Sequence, residues 1–295
     1  MDELIEFFSV NLRIFLRYFV LLLVSILFTI FFRPYLNNLL IDSKLVKPNY
    51  RGENIPTAAG LLFVIALPLT VVVGFILRVD SFDSKYAVLY LLGVLGMGLT
   101  GLVDDCLGSH QVKGFQGHLK ALFKERKLTT GALKALFGGI IAIVFSIAKA
   151  RMIGSGRYPW MFIVDFLLVA LTANIINLFD LRPGRAGKVF TLIFIIIILL
   201  SKNFINFIGL FFPVLIILLL YLPYDLKAKM MLGDVGSNFL GATLGIMMVW
   251  MLSDFGKIIA LIILLLLQLA AEKFSFSKII DKYRPLRYLD QLGRD

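Results

Sequence analysis

The sequence predicts an all-α, polytopic integral membrane protein with about nine transmembrane helices, N-terminus outside and C-terminus cytoplasmic. Two observations lead there. Of 295 residues, 59% are hydrophobic and only 17% charged, with a mean hydropathy of +0.90. Soluble domains carry roughly 45–50% apolar and about 25% charged residues, so this chain has too little polar surface to dissolve. Secondly, apolar runs near the about 17 to 25 residues needed to cross a hydrocarbon core recur along the whole chain.

In order, the spans fall near 10–32, 58–79, 86–103, 131–149, 159–178, 188–201, 205–222, 237–253 and 256–271. Runs such as IFIIIILL and IIALIILLLLQLAA have no polar face at the 3.6-residue period, which excludes amphipathic surface helices. The sixth is the shortest, because its clean apolar stretch from Val189 to Leu200 needs Gly187 and Lys188 to reach the interface. An acidic start, MDELIEFF, and the lack of a small-residue cleavage site argue against a signal peptide. The chain therefore divides into a transmembrane region, 1–271, and a basic, amphipathic cytoplasmic tail, 272–295.

Orientation follows from the 30 Lys and Arg residues. The loops near 33–57, 104–134, 179–188 and 223–236, with the tail, hold 21 of them, and the opposite side holds 9. The positive-inside rule makes the first set cytoplasmic. The net charge of +11 is thus accounted for by membrane topology and does not call for nucleic acid. A single cysteine, Cys106, excludes an internal disulfide, and with His110 and His118 it is too small a set for a structural zinc cage.

The chemically capable residues gather on the same predicted face. Asp104 and Asp105 end the third span; two adjacent carboxylates at a helix C-terminus repel each other and oppose the macrodipole, so they call for a cation, or else form a solvated flank. Asn174, Asn177 and Asp180 lie at i, i+3 and i+6 on one side of the fifth span's end, suited to a polar ligand or to inter-helix hydrogen bonds. Gly233-Asp234-Val235-Gly236-Ser237 opens the eighth span, where free N–H groups and glycines favour a phosphate, or where Asp234 and Ser237 simply cap a helix. Gly241 and Gly245, like Gly93, Gly96, Gly98 and Gly101, read as helix-packing positions. The loop with Lys113, Lys120, Lys124, Arg126 and Lys127 is a basic, solvated face; Lys134 differs, since it starts a span and can point into a site. Together, acids, bases and a phosphate-friendly helix start fit metal-assisted phosphoryl transfer at a membrane surface.

In order, KPNYRGENIPTAAG (47–60), GLVDD (101–105), TTGALK (129–134), TANIINLFD (172–180) and LGDVGSN (232–238) resemble the polyprenyl-phosphate N-acetylhexosamine-1-phosphate transferases. The resemblance implies Mg²⁺-dependent transfer of a sugar-1-phosphate from a UDP-sugar to undecaprenyl phosphate, with release of UMP, for cell-wall or surface glycan synthesis in a bacterial plasma membrane. It implies catalytic roles for Asp104 and Asp105, metal binding by Asp234 and Asp105, and substrate binding by Lys134, Asn177 and Asp180; the helix positions themselves add Asn174, Gly233, Gly236 and Ser237 as substrate-binding candidates. The expected partners are polyprenyl phosphate, UDP-sugar and the membrane, with a homodimer as a further candidate state. Two departures stand out. The family's central motif continues with glycine and a second aspartate, whereas Asp180 is followed here by Leu181-Arg182-Pro183-Gly184-Arg185, which inverts the local charge; and the family's histidine-rich cytoplasmic motif is replaced by the tail EKFSFSKIIDKYRPLRYLDQLGRD. A non-catalytic lipid-phosphate binder and a secondary transporter are the alternative classes.

Overall fold

The computed structural model describes residues 2–79, 83–108, 129–153 and 158–294, with side chains from residue 12 onward. His110, His118 and the basic residues from Lys113 to Lys127 lie outside the described residues. A helix stands at each predicted span: α1 (Asp2–Asp42), α2 (Leu61–Ile76), α3 (Ser84–Leu107), α4 (Thr130–Met152), α5 (Met161–Phe179), α6 (Arg185–Leu200), α7 (Ile208–Leu226), α8 (Gly233–Met251) and α9 (Asp254–Lys273). The tail forms two short helices, α10 (Phe276–Lys282) and α11 (Arg284–Gln291).

Among the described residues, six helices are long and apolar enough to cross a membrane: α1, α3, α4, α5, α7 with the 3-10 turn before it, and α9. The other three fall short for physical reasons. Helices α2 and α6 have 16 residues each, while α8 opens on a polar turn and is buried from Val235 almost to its end. A helix enclosed by protein has no need of the hydropathy that lipid demands.

Helix α8 is the axis of the bundle. Helices α3 and α5 make the most extensive contacts with it, α4 and α9 flank them, and α1 packs on α2 and α7. Small residues set these approaches: a Cβ on Gly241 would meet the Thr172 and Ala173 backbone, and one on Gly245 the Val169 backbone. The packing role expected for these glycines is what the structure gives them. At the far end of α8, Trp250 lies against Tyr86 and Phe207, while Tyr90 pairs edge-on with Phe211 and its hydroxyl meets Thr243 Oγ1 at 3.3 Å.

One element departs from an all-helical reading. Val46–Pro48 (β1) and Asn54–Pro56 (β2) pair antiparallel, with Lys47 opposite Ile55. Pro48 and Pro56 cannot donate backbone hydrogen bonds within a helix, and Asn49 Oδ1 organises the turn by accepting from Arg51 N and Glu53 N at 2.8 and 3.1 Å. The hairpin holds the segment before α8: Met231 N donates to Pro56 O (2.8 Å), Ala59 N to Met231 O (3.0 Å) and Gly60 N to Leu232 O (2.9 Å).

Candidate functional site

Four helix ends and a hairpin meet at one end of the bundle: the C-termini of α3 and α5, the N-termini of α4 and α8, and the hairpin leading to α2. Asp104 and Asp105 arrive from α3, Lys134 from the first turns of α4, Asn177 and Asp180 from the end of α5, and Asp234 from the start of α8. The convergence depends on a close crossing, because a Cβ on Gly101 would run into the Asp234 backbone.

Lys134 is the centre of the group. Its ammonium lies 2.8 Å from Asp234 Oδ2 and 3.8 Å from Asp104 Oδ2, with only 16% of its side chain exposed. The Asn177 amide is oriented so that its oxygen accepts from Lys134 Nζ (2.9 Å) while its nitrogen donates to Asp234 Oδ1 (2.7 Å) and Ser237 Oγ (2.9 Å). The Asp104 and Asp234 carboxylates are within hydrogen-bonding reach of each other, and Thr130 supports Asp104 from α4. Two carboxylates so close require a cation or a proton between them. Burial pushes Asp234 up, but the Lys134 ammonium and its hydrogen bonds prevail and hold the carboxyl below its ordinary range.

Asp105 has a second task. Its side chain is 4% exposed, accepts from Val235 N at 3.1 Å and faces Lys47 Nζ at 3.9 Å. It thereby pins the first turn of α8. Gly233 adopts φ +74°, where a Cβ would crowd Asp105 Oδ2 and Ala58 N, and Gly236 is packed on Gly60 and Leu232. Both glycines serve the close fit of this turn. Asp180 caps α5; burial, then the nearby Asp225 and Asp234 carboxylates, raise its pKa well above the ordinary range.

The structure separates one predicted residue from the rest: Asn174 Nδ2 donates to Gln268 Oε1 of α9 at 2.7 Å, an inter-helix bond. It also adds residues that the motifs alone did not single out. Lys47 sits within the KPNYRGENIPTAAG segment, where its basic charge was the available signal. Asp225, 4% exposed, accepts from Gly184 N at 2.9 Å and so anchors the Leu181–Arg185 turn, where Gly184 takes φ +72°. Nothing in the local pattern PYDLK marks it. Cys106 is a free, exposed thiol beside the site.

Among the described residues, no three carboxylate, histidine or cysteine side chains form a preformed metal cage. The donor set is all oxygen, however, and Mg²⁺ is commonly held by one or two carboxylates together with substrate phosphates and water. Asp234 and Asp105, on either side of the Gly233 turn, fit that use, and Lys134 and Lys47 supply the countercharge in their present arrangement.

A second charged cluster lies at the other end. Asp165, fully buried in the first turns of α5, meets Lys149 of α4 at 2.9 Å and Lys257 of α9 at 3.1 Å. Lys134 and Lys149 are 15 residues apart on α4, about 22 Å along its axis. This triad is therefore remote from the acidic site and ties three helices together.

Comparison of the sequence with known proteins points to one family. The sequence profile of glycosyl transferase family 4 matches residues 87–252. Similar proteins include the phospho-N-acetylmuramoyl-pentapeptide-transferase of Fervidobacterium nodosum, 31% identical over 66% of this chain and 58% of its own length. That of Clostridium kluyveri is 27% identical over 68% and 62%, and that of Heliobacterium modesticaldum 29% identical over 88% and 83%. The match thus spans about three fifths of the first two relatives.

Proposed function

Because the chain belongs to glycosyl transferase family 4, we propose that it is a membrane enzyme transferring an N-acetylhexosamine-1-phosphate from a UDP-sugar to polyprenyl phosphate, with Mg²⁺, at the cytoplasmic face of a bacterial plasma membrane. The observation that supports this best is Lys134, held by Asp234, Asp104 and Asn177 within a ring of carboxylates at one bundle end. The reading takes all nine helices as spans and sets that end in the cytoplasm, in keeping with the basic-residue count.

In this reaction an oxygen of the lipid phosphate attacks the sugar-bearing phosphorus of the donor. A new P–O bond forms, the bond to the uridine-bearing phosphate breaks, and UMP leaves with that electron pair. Lys134 binds phosphate oxygens, and Asn177 fixes its direction. Asp104 orients the incoming phosphate or takes its proton, and Asp105 keeps the α8 turn in register through Val235 N. Asp234 and Asp105 would hold Mg²⁺, which would supply neutralisation of the charge developing on the diphosphate. Little covalent chemistry is asked of the protein, which matches a site made of charges and positioning groups.

The test is UMP release by the purified chain with undecaprenyl phosphate and Mg²⁺, offering UDP-N-acetylglucosamine and UDP-N-acetylmuramoyl-pentapeptide separately. Release that is lost with chelation and in Asp234→Asn, with the protein still folded, supports the reading. Undiminished release in Asp234→Asn overturns the metal assignment, and no release with any UDP-sugar overturns the activity.

A further inference from the structure

The tail sorts its charges by side. Between Phe276 and Arg294 there are two carboxylates, and both turn toward the protein. Asp281 forms a bidentate pair with Arg182 at 3.0 and 2.8 Å. Asp290, 6% exposed, accepts from Arg185 at 2.7 and 2.9 Å and from Arg294 at 2.9 Å twice. Arg185 also reaches Ser277 (2.8 Å), Lys188 donates to the carbonyls of Leu289 and Asp290, and Phe276 stacks on Phe179 with centroids 5.2 Å apart. The polar partners of the tail are thus residues that follow Asp180, including both arginines of the Leu181–Arg185 turn.

The outer side is the opposite in character. Lys278, Lys282, Arg284 and Arg287 are exposed, and so are Tyr283, Leu286, Tyr288, Leu289 and Leu292, at 43% to 68%. Helix α9, apolar enough to cross a membrane, ends at Lys273, so the tail begins where that helix leaves the bilayer. Helices of 7 and 8 residues cannot cross. Exposed apolar groups interleaved with cations, fixed at the membrane boundary, have the chemistry of a segment seated in anionic headgroups.

We propose that residues 276–294 are a strap between the bilayer surface and the active-site rim: the outer cations and apolar side chains bind anionic lipid headgroups, and the inner carboxylates clamp Arg182 and Arg185. Lipid charge then sets how firmly the Leu181–Lys188 segment beside Asp180 is held. The inference uses the membrane reading but not the proposed chemistry, and its test needs no turnover.

The experiment is hydrogen–deuterium exchange of the full chain in nanodiscs holding one copy each, of phosphatidylcholine alone or mixed with phosphatidylglycerol. Tail amides exchange at least about tenfold more slowly in the mixed discs, because four cations each gain from the anionic surface, and amides of 181–188 slow with them. Lys278→Ala/Lys282→Ala/Arg284→Ala/Arg287→Ala abolishes the difference. In Asp281→Asn/Asp290→Asn the tail keeps its lipid-dependent protection while 181–188 loses it. Equal exchange in both discs overturns the proposal, as does persistence of the difference in the quadruple variant. Protection that needs two copies in one disc overturns it in favour of a contact between copies.

Discussion

Substitutions in the Asp165 triad should separate sharply by which charge they remove. Asp165 is fully buried and touches two ammonium groups, at 2.9 and 3.1 Å. At an effective dielectric of about 20, each contact contributes roughly 5 kcal/mol of Coulomb attraction, which offsets the desolvation of all three groups. Asp165→Asn leaves Lys149 and Lys257, 7% and 5% exposed at their side chains, facing each other without a countercharge. Breaking a buried pair from one side costs about 3–5 kcal/mol. Lys257→Met instead leaves a neutral Lys149–Asp165 pair and fills the same volume, so it should cost under about 1.5 kcal/mol. The assay is thermal unfolding in detergent followed by size exclusion. At about 2–4 °C per kcal/mol for a domain of comparable size, Asp165→Asn should fall by roughly 6–20 °C and Lys257→Met by only a few. Equal losses for the two variants, or a stable Asp165→Asn, would refute the account of Asp165 as the countercharge in contact with two buried cations.

Lys134→Ala should lower UMP release by about 10²–10³-fold, in line with removal of one charge-stabilising group; steady-state kinetics measures the loss, beside a melting curve that shows the variant still folds. Asp225→Ala should leave the Gly184 N–H unsatisfied and cost about 1–3 kcal/mol, whereas Asp225→Asn, which keeps an acceptor, should cost less; amide exchange at 184–188 distinguishes them. Burial would raise the Asp290 carboxyl, but Arg185 and Arg294 hold it well below the ordinary carboxylate range. A depressed carboxylate stabilises the folded form above its unfolded pKa of about 3.9 and loses that contribution as pH falls toward the folded value. Tail docking, followed by limited proteolysis, should therefore be constant from neutral pH down to about pH 4 and weaken only below it.

The helices were legible because lipid imposes a length and an absence of polar faces, and those two constraints are written directly in the residues from Val10 to Ala271. Span-by-span character was less legible. Helix α8 looks like a span by position, yet its lining comes from α3 and α5, and sequence shows a polar start without showing what encloses it. The site's acids and Lys134 were readable as helix-end charges on one predicted face. Their partners were not, since Lys134 meets Asp234 across 100 positions of sequence and only the α3–α8 crossing at Gly101 brings them together. Asn174 shows the limit of helical spacing: it shares a side with Asn177, but the nearness of Gln268 on α9 decides its bond. The tail was legible as basic and amphipathic. That Asp281 and Asp290 answer Arg182 and Arg185 could not be read without the fold.

Backbone-to-backbone contact along α8 confines where this scaffold can change. At Gly101, Gly241 and Gly245 an added methyl group would strike main chain, which cannot rotate away as a side chain can. Helices α3, α5 and α8 therefore act as one rigid spindle that carries Asp104, Asp105, Asn177 and Asp234 in fixed register. New donor preferences cannot arise by sliding these helices past one another. Change is left to the segments that surround the spindle, such as Leu181–Arg185, which Asp281 and Asp290 of the tail hold through Arg182 and Arg185.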